Sequence, residues 1–311
     1  MKVAILGATS QIGKDLIESF VNQTDYYCDL YSRNSRFVLD WLKSVNENNH
    51  YNVLSYDEFT ISKKYDMIIN FVGIGDPAAV KKMGSKIFDV TYDFDSLVLH
   101  YLESHPSTKY VFLSSGAIFG GDFNEPVTEN STANININSL TSNNWYGVAK
   151  LYAEARHRAL NEFSIIDVRV FNYFSHTQDI NARFFITDIV RAIKNHEVLK
   201  TSELNIVRDF ITPVDFYQLI QCISNSAPKN LSVDCYTKAP IDKFTLLSEL
   251  NTKYKLEYEV SDKTNVVNGT GEKIKYYSNN KVAEVLGYCP KYTSLSGIMK
   301  ELSFMLDTYE K

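Results

Sequence analysis

Short apolar runs alternate with stretches of helical periodicity through the first 170 residues of the chain. Val3 to Leu6 is a run of four apolar residues, and the apolar positions from Ile12 to Phe20 recur at the spacing of a helix. The alternation predicts a parallel sheet with helices on both faces. Further strands are predicted at 26–31, 53–54, 67–72, 109–113 and 164–170, and further helices at 85–104 and from Tyr146 to about 163.

The pattern loosens beyond residue 171, although the chain shows no composition break that would mark an independent second domain. Strands are predicted at 204–207 and 231–236, and helices at 182–195, 216–224, 243–256, 281–286 and 296–309. We expect an α/β fold in which residues 1–171 form a doubly wound sheet and 208–238 add late elements to it. Residues 172–207 and 239–311 would form a smaller mixed α/β lobe, and the polar stretch 122–144 a loop over the site.

A glycine-containing turn follows the first strand at once and opens the first helix. Strand, glycine turn and helix are the context in which a dinucleotide fingerprint binds pyrophosphate on backbone N–H groups. Gly7 would allow the tight turn and Gly13 the close packing of helix on strand. Ser10 stands where the usual pattern has its middle glycine, and its hydroxyl could face phosphate. An ordinary βα turn is the alternative. The predicted cofactor contacts of this turn are Gly7, Thr9, Ser10, Gln11, Ile12 and Gly13.

The end of the second strand favours NADP(H) over NAD. An NAD site usually ends this strand with an acid, but here Tyr31 is followed by Ser32 and Arg33, with Arg36 one turn on. A hydroxyl and a guanidinium suit a 2′-phosphate. The alternative is that both arginines are exposed helix charges and the cofactor is NAD. Asp29 lies two residues too early to bind the ribose.

Tyr146 and Lys150 stand four residues apart, so on a helix they share one face. An ammonium group within ~4–6 Å lowers the pKa of a phenol by roughly 1–3 units, which makes tyrosine useful as a proton shuttle. The pair alone is weak, because the chain has 21 tyrosines and a solvated helix face is the ordinary explanation. Ser115 follows a strand at the ligand edge of the sheet. Asn70, Val72 and Gly73 end another strand, where the backbone would pass the cofactor.

Charge, apolar run length and cysteine spacing exclude several classes of function. A net charge of −5 without a long Lys/Arg run makes nucleic acid an unsuitable partner. No run approaches 18 apolar residues, so we expect no membrane span. The four cysteines are far apart and form no metal or redox pair, so we expect no metal site and a cytoplasmic chain with reduced thiols.

Six motifs in order make the chain resemble an extended short-chain dehydrogenase/reductase of the branch that acts on nucleotide-activated sugars. Each motif is weak alone, but together they cover nearly the whole chain. They are Gly7 to Gly13, Ser114 to Gly120, Tyr146 to Lys150, Arg169 to Asn172, Arg208 to Asp215, and Leu286 to Pro290.

The resemblance implies a role for each matched residue. Ser115 would hydrogen-bond the reacting sugar oxygen, Tyr146 would be the acid/base, and Lys150 would hold the nicotinamide ribose and lower the Tyr146 pKa. Asn172 would contact the sugar nucleotide, and Arg208 its pyrophosphate unless it merely pairs with Asp209. Gly116 and Ala117 are expected at the substrate.

Three departures from the family pattern qualify the resemblance. Gly116 and Ala117 replace the Asp-Glu pair of family dehydratases, which argues against 4,6-dehydration. Phe119 replaces the commoner tyrosine, as a packing change. A late arginine for the pyrophosphate is not evident near 268–271.

The leading hypothesis is therefore an NADP(H)-dependent reductase of a nucleotide-linked 4-keto sugar. A 4-epimerase with tightly held NAD uses the same three residues and is the close alternative. A non-catalytic dinucleotide-binding sensor is the rival from another class, but members of that kind commonly lose the Tyr/Lys pair. The resemblance also implies a homodimer through helices around residues 88–103 and 146–162.

Overall fold

The computed structural model describes residues 1–23, 26–45, 50–73, 80, 82–121, 123–261 and 273–306. Fourteen strands and eight α-helices lie within these residues. The strands are β1 Lys2–Leu6, β2 Tyr27–Tyr31, β3 Tyr51–Leu54, β4 Met67–Asn70, β5 Lys109–Ser115, β6 Ile165–Val170, β7 Asn172–Tyr173, β8 Leu199–Thr201, β9 Val207–Arg208, β10 Phe210–Ile211, β11 Leu231–Asp234, β12 Ile241–Asp242, β13 Tyr258–Val260 and β14 Lys275–Tyr276. The helices are α1 Gln11–Gln23, α2 Ser35–Val45, α3 Lys86–Ser104, α4 Ser142–Arg158, α5 Phe185–Asn195, α6 Pro213–Asn225, α7 Lys243–Tyr254 and α8 Ser294–Leu306.

Seven of the strands form one parallel sheet in the order β3-β2-β1-β4-β5-β6-β11. The strand order reverses between β1 and β4, which pair from Val3 with Met67 to Leu6 with Asn70. In a doubly wound sheet the carboxyl ends of the strands at this reversal open a crevice that binds ligands. The topology therefore places the residues after β1, β4 and β5 at one edge.

Both faces of the sheet are apolar, and helices pack on each face and bury it. On one face α1 and α6 pack Phe20 and Leu219 against strand residues such as Ile5 and Ile69. On the other face α3 and α4 cover the alternate positions of the same strands, with Leu102 and Ala153 among the contacts. Burial of one such side chain contributes roughly 1.5–3 kcal/mol, so the two cores hold the sheet rigidly.

Buried ion pairs fasten α4 to the strands beside it. His157 lies between the carboxylates of Asp167, at 2.6 Å, and Asp95, at 2.7 Å. One turn earlier on the helix, Glu154 accepts hydrogen bonds from Arg169 at 2.6 Å and from Ser114 at 2.5 Å. These contacts fix the helix that carries Tyr146 and Lys150 against β5 and β6.

The remaining strands form small sheets in the later part of the chain. β7 pairs with β10, β8 with β13, and β9 lies between β12 and β14. A separate apolar core, with Phe174, Ile189, Leu250 and Leu302 at its centre, joins α5, α7 and α8. The register of β9 and β14 sets Arg208 opposite Tyr276.

Several predicted boundaries were wrong. The helix after Tyr146 ends at Arg158 rather than near 163, and 281–286 is a short 3₁₀ turn at Val282–Leu286 rather than an α-helix. Of the strand predicted at 204–207 only Val207 is extended, as the start of β9. The pattern did not single out α2. Asp122 and residues 307–309 lie outside the described part of the chain. Within that part, no helix has the length and apolar character needed to cross a bilayer.

Candidate active site

The turn after β1 packs the backbone of Gly7 against the backbone of Phe71 and Val72. Gly7 has φ +79°, and a Cβ there would lie 2.9 Å from the carbonyl carbon of Phe71 and the nitrogen of Val72, so a side chain is excluded. The hydroxyl of Ser10 accepts a hydrogen bond from the Gly13 N–H at 3.1 Å. Ser10 therefore caps the start of α1 through one lone pair of its hydroxyl, and its expected contact with phosphate stays a prediction.

The other side chains of the turn face in different directions. Thr9 is exposed, Gly13 is buried and Ile12 packs against the core below the turn. The Gln11 amide donates to Asp15 and to Ser175 at 3.2 Å each, so it ties α1 to the chain after β7. The turn thus offers backbone N–H groups at the start of α1, as an anion site requires.

The end of β2 carries no carboxylate in the stretch from Leu30 to Leu39. Asp29 is occupied inside the fold, since it accepts from Tyr65 at 2.6 Å and from Asn52 at 2.8 Å. The Ser32 hydroxyl is buried and has no hydrogen-bond partner among the residues that the structure describes. An unsatisfied buried hydroxyl is costly, and a ligand would satisfy this one.

Arginine side chains near β2 differ in their surroundings. Arg33 is exposed. Burial raises the pKa of the Tyr56 hydroxyl, and both the Gly7 N–H and the charge of Arg33 lower it. That hydroxyl accepts from the Gly7 N–H at 3.0 Å, so Arg33 lies near the glycine turn. Arg36 has a side chain 93% exposed and lies 4.0 Å from Asp40. Arg33 therefore suits a cofactor phosphate, whereas the structure sets Arg36 in solvent.

Asn70, the last residue of β4, has a buried side chain. The Asn70 amide donates to the Tyr110 hydroxyl at 3.0 Å and accepts from the Val72 N–H at 2.9 Å. Asn70 is therefore satisfied by the fold and shapes the bend that follows it. Gly73 passes close to Lys150, because a Cβ on Gly73 would stand 3.4 Å from the Lys150 Nζ. The predicted residues Val72 and Gly73 thus run past the lysine.

A close approach of α4 to the turn after β5 brings Tyr146 to Ser115. The helix begins after Thr141, whose N–H donates to the Asn144 side chain at 2.9 Å in the manner of a capping box. At Gly147 an added Cβ would lie 2.4 Å from the carbonyl oxygen of Ala117, so only glycine allows this contact. Ser115 is buried and accepts from the Ala117 N–H at 3.2 Å.

Burial raises the pKa of Tyr146, and a hydrogen bond from Ser115 opposes that shift. The Lys150 ammonium contacts the Leu113 carbonyl and the Phe112 ring, and its expected effect on the Tyr146 pKa stays a prediction. The phenol therefore keeps its proton at neutral pH. A group in that state is suited to donate a proton to an oxygen that gains negative charge.

Lys150 is buried beneath the site, with 3% of its surface exposed. Its Nζ donates to the Leu113 carbonyl at 2.7 Å and lies 4.2 Å from the centroid of the Phe112 ring. Burial lowers its pKa to about 8, although the charges of Asp95, Asp167 and Glu154 pull in the other direction. The ammonium is thus held at the carboxyl end of β5, beside the backbone of β4.

The substrate-side residues predicted on β7 and β9 lie together. The Asn172 amide donates to the Tyr276 carbonyl at 2.9 Å, so it holds β14 rather than presenting free donors. Arg208 is buried, and burial lowers its pKa to about 10. Asp209 accepts hydrogen bonds from Thr237 and from Ser294 instead of forming the simple pair with Arg208 that was the alternative reading. The predicted residue Gly116 is buried under the Phe171 ring.

Sequence reasoning missed two residues at this place. Tyr276 is buried, and burial raises the pKa of its hydroxyl while the Ser115 hydroxyl lowers it. Lys273 has its Nζ 4.2 Å from the Tyr276 ring centroid, and burial lowers its pKa to about 8. Neither residue belongs to a spaced motif. Residues 268–271, where a late arginine was sought, lie outside the described part of the chain, and Lys273 is the second residue after them. Among the residues with described coordinates, no cluster of His, Cys, Asp and Glu is arranged to hold a metal.

Comparison with known proteins agrees with this geometry. The sequence profile described as the NAD dependent epimerase/dehydratase family matches residues 3–233. UDP-glucose 4-epimerase 4 of Oryza sativa subsp. japonica is 30% identical over 115 residues, which are 36% of this chain and 29% of that protein.

Solved structures resemble the whole chain in fold. UDP-glucuronic acid 4-epimerase from Bacillus cereus, in complex with UDP-glucuronic acid and NAD, has a TM-score of 0.76 at 15% identity and covers 99% of this chain and 100% of its own. UDP-N-acetylglucosamine 4-epimerase from Methanobrevibacter ruminantium M1 has a TM-score of 0.78 at 14% identity, with 99% and 98% covered. A dTDP-glucose 4,6-dehydratase from Bacillus anthracis reaches 0.75 at 15% identity, with 99% and 98% covered. Since the family profile spans most of the chain and the Rossmann-type sheet carries the site, the protein belongs to the NAD-dependent epimerase/dehydratase family of enzymes.

Proposed function

We propose that this protein reduces the 4-keto group of a nucleotide-activated sugar, with NADP(H) as cofactor and Tyr146 as proton donor. The observation that carries the proposal is the hydroxyl pair of Ser115 and Tyr146 at the carboxyl edge of the sheet, with Lys150 beneath it. Ligands of doubly wound sheets bind at this edge.

The start of α1, Ser32 and Arg33 would hold the cofactor, whose nicotinamide would supply hydride to the carbonyl carbon. As the sugar oxygen gains negative charge, Tyr146 transfers its phenol proton to that oxygen and leaves a phenolate. Ser115 donates a hydrogen bond to the same oxygen, and such preorganised donors contribute several kcal/mol where charge develops. Lys150 supplies a buried positive charge at the carboxyl end of β5. Solvent returns the proton to Tyr146 after product release.

The state of the Tyr146 phenol suits proton donation. Burial raises its pKa, so the phenol is protonated at neutral pH and can give its proton to the sugar oxygen.

The residues after β2 fit a phosphorylated ribose. The unsatisfied hydroxyl of Ser32 and the exposed guanidinium of Arg33 offer a hydrogen bond and a charge, and no carboxylate of this stretch would repel a 2′-phosphate. Arg binds phosphate with charge-assisted hydrogen bonds. NADP(H) is therefore the proposed cofactor, with NAD as the alternative.

A nucleotide-sugar 4-epimerase that retains NAD is the second candidate. The names of the similar proteins favour it, since the rice relative and two of the solved structures described above are 4-epimerases. Dehydration is a poorer candidate, because Gly116 and Ala117 supply no carboxylate for the elimination of water. A non-catalytic sensor is poorer still, since it has no use for the Ser115–Tyr146 pair.

Purified protein distinguishes the two enzymes. Nucleotide released by denaturation is identified, and NADPH oxidation is followed with 4-keto-6-deoxy sugar nucleotides that carry different bases, with Tyr146→Phe as control. Exchangeable NADP(H) and net NADPH consumption, lost in the control, are expected. Stoichiometric bound NAD with interconversion of C4 isomers and no net NADPH use would overturn the reductase assignment in favour of the epimerase.

The wider setting of the site is also part of the proposal. We infer that the nucleotide sugar lies between the seven-stranded sheet, which residues 1–171 form together with β11, and the lobe of 172–207 and 239–311. A homodimer through α3 and α4 is proposed because Tyr92 and Tyr152 are 46% and 53% exposed on these helices and stack 6.3 Å apart. The four cysteines are free, which suits the proposed cytoplasmic location.

A further inference from the structure

A tyrosine after β3 reaches the glycine turn that follows β1. Tyr56 lies two residues beyond Leu54, the last residue of β3, and its hydroxyl accepts a hydrogen bond from the Gly7 N–H at 3.0 Å. Because β2 lies between β3 and β1 in the sheet, the phenol extends across the carboxyl end of β2. The Phe94 ring of α3 packs edge-on against the Tyr56 ring at 4.6 Å. Packing and a backbone hydrogen bond therefore fix the hydroxyl beside the turn.

The carboxyl end of β2 is the place where this fold usually carries an acid that binds the adenosine ribose. Here that place is held by Tyr31, whose side chain is buried and whose hydroxyl hydrogen-bonds that of Tyr65 at 2.6 Å. The Tyr31 carbonyl accepts from the N–H groups of Gly7 and Ala8 at 3.1 Å each, so the end of β2 lies against the turn. The Tyr56 hydroxyl, on the same Gly7 N–H, thus lies beside the position that lacks its acid.

Two hydroxyls at these neighbouring strand ends have unused hydrogen-bonding capacity. A phenol hydroxyl both donates and accepts, and the Gly7 N–H uses only the acceptor side of Tyr56. None of the described residues accepts the phenol proton, which burial retains at neutral pH by raising the pKa of Tyr56. The Ser32 hydroxyl is buried and equally unpartnered within the described residues. The Ser32 N–H donates to the Leu54 carbonyl at 3.1 Å, which sets the two strand ends side by side.

We propose that Tyr56 is a cofactor-binding residue that donates its phenol proton to the 2′ oxygen of the adenosine ribose, in place of the missing acid. With NADP(H) the acceptor is an oxygen of the 2′-phosphate, and with NAD(H) it is the ribose hydroxyl. A carboxylate can only accept a hydrogen bond, whereas a phenol can donate one to either group. The proposal rests on the proposed dinucleotide site and is independent of the reaction on the sugar.

A chemical change in the ligand separates this contact from a structural role. If the Tyr56 hydroxyl binds the 2′ group, its removal weakens only those ligands that carry a 2′ oxygen. If the hydroxyl merely holds the Gly7 N–H and so shapes the turn, its removal weakens every dinucleotide by the same factor. NADPH, NADH and NADH that lacks the 2′ oxygen of its adenosine ribose form the required series.

The test measures dissociation constants for these three ligands in the full-length protein, by fluorescence titrations carried to millimolar ligand. Wild type is compared with Tyr56→Phe, and thermal unfolding verifies that the variant is folded. Tyr27→Phe is the matched control, because it removes the same atom from the first residue of β2, which is exposed at the opposite end of the strand.

Tyr56→Phe is expected to weaken NADPH about tenfold and NADH about threefold, since hydrogen bonds to charged groups contribute more than those between neutral groups. The affinity for the 2′-deoxy ligand should stay at the wild-type value, and Tyr27→Phe should change none of the three. An equal loss for all three ligands, no loss for NADPH and NADH, or wild-type protein that binds neither of them would overturn the proposal.

A second variant keeps the test decisive should Tyr56→Phe fail to fold. 3-Fluorotyrosine, inserted at 56 by stop-codon suppression, retains the hydroxyl and makes it a stronger donor. It should tighten NADPH relative to the 2′-deoxy ligand, and an unchanged ratio of the two affinities would refute the contact. Since these titrations need no sugar, absence of turnover with 4-keto sugar nucleotides would refute the proposed reductase while the role of Tyr56 is still decided by binding.

Discussion

Replacing Gly147 by alanine tests how the fold brings the acid to the serine. In the structure an added Cβ at 147 would lie 2.4 Å from the Ala117 carbonyl oxygen, whereas ordinary contacts begin at 3.4 Å. The oxygen belongs to the turn that Ser115 caps, so it has little freedom to retreat. Helix α4 must therefore move away from the turn by about 1 Å.

The displacement should cost far more activity than stability. Overpacking costs about 1–3 kcal/mol, and alanine regains up to ~1 kcal/mol of helix propensity, so the net loss is about 0–2 kcal/mol. A 1 Å misplacement of a reacting group costs about 100-fold in rate. We therefore expect kcat to fall about 100-fold in a folded protein.

The assay compares kcat for NADPH oxidation, the free energy of unfolding in urea, and NADP(H) affinity in wild type and Gly147→Ala. Ala155→Ser is the control, because residue 155 is exposed on the same helix and lies two turns beyond Gly147. The control should match wild type in all three measurements. Wild-type kcat in the folded Gly147→Ala variant would refute the argument that this contact positions Tyr146.

Three further predictions concern charge. Burial lowers the pKa of Lys150 to about 8, so turnover should decline as pH rises through about 8 and the ammonium is lost; a pH–rate profile flat to pH 9.5 would contradict this. Burial lowers the pKa of His157, but Asp167 and Asp95 raise it to about 9 overall. Because the folded value exceeds that of the unfolded chain, the stabilisation by His157 is complete below about pH 6.5 and is lost as pH rises through about 9. His157→Gln should cost about 3–5 kcal/mol of unfolding free energy at pH 6 and clearly less at pH 9.5, as urea titrations will show. Arg33→Ala should weaken NADPH binding about tenfold or more with little effect on NADH, measured by fluorescence titration; equal loss for both cofactors would contradict a 2′-phosphate contact.

Local patterns predicted the sheet well because its strands are short apolar runs and the turn after its first strand contains glycine. Strand order alone predicted Gly7 and Ser115 at the ligand edge of the sheet, and the family resemblance implied that Tyr146 and Lys150 join them there. What the sequence could not predict depends on contacts between distant segments. Lys150 donates to the Leu113 carbonyl, and β14 sets Tyr276 opposite Arg208 across 68 positions of sequence. The capping role of Ser10 was missed for a different reason, since a hydroxyl at a helix start can serve the helix as readily as a ligand.

Deuterium transfer tests the central claim most directly. NADPH carrying deuterium at the transferring position of the nicotinamide ring is incubated with a nucleotide-linked 4-keto sugar, and the product is analysed by NMR. The account predicts one deuterium at C4 of the sugar per NADPH oxidised with wild-type protein, and none with folded, cofactor-binding Tyr146→Phe. Deuterium at another carbon, a product without deuterium, or undiminished transfer by the Tyr146→Phe variant would contradict it.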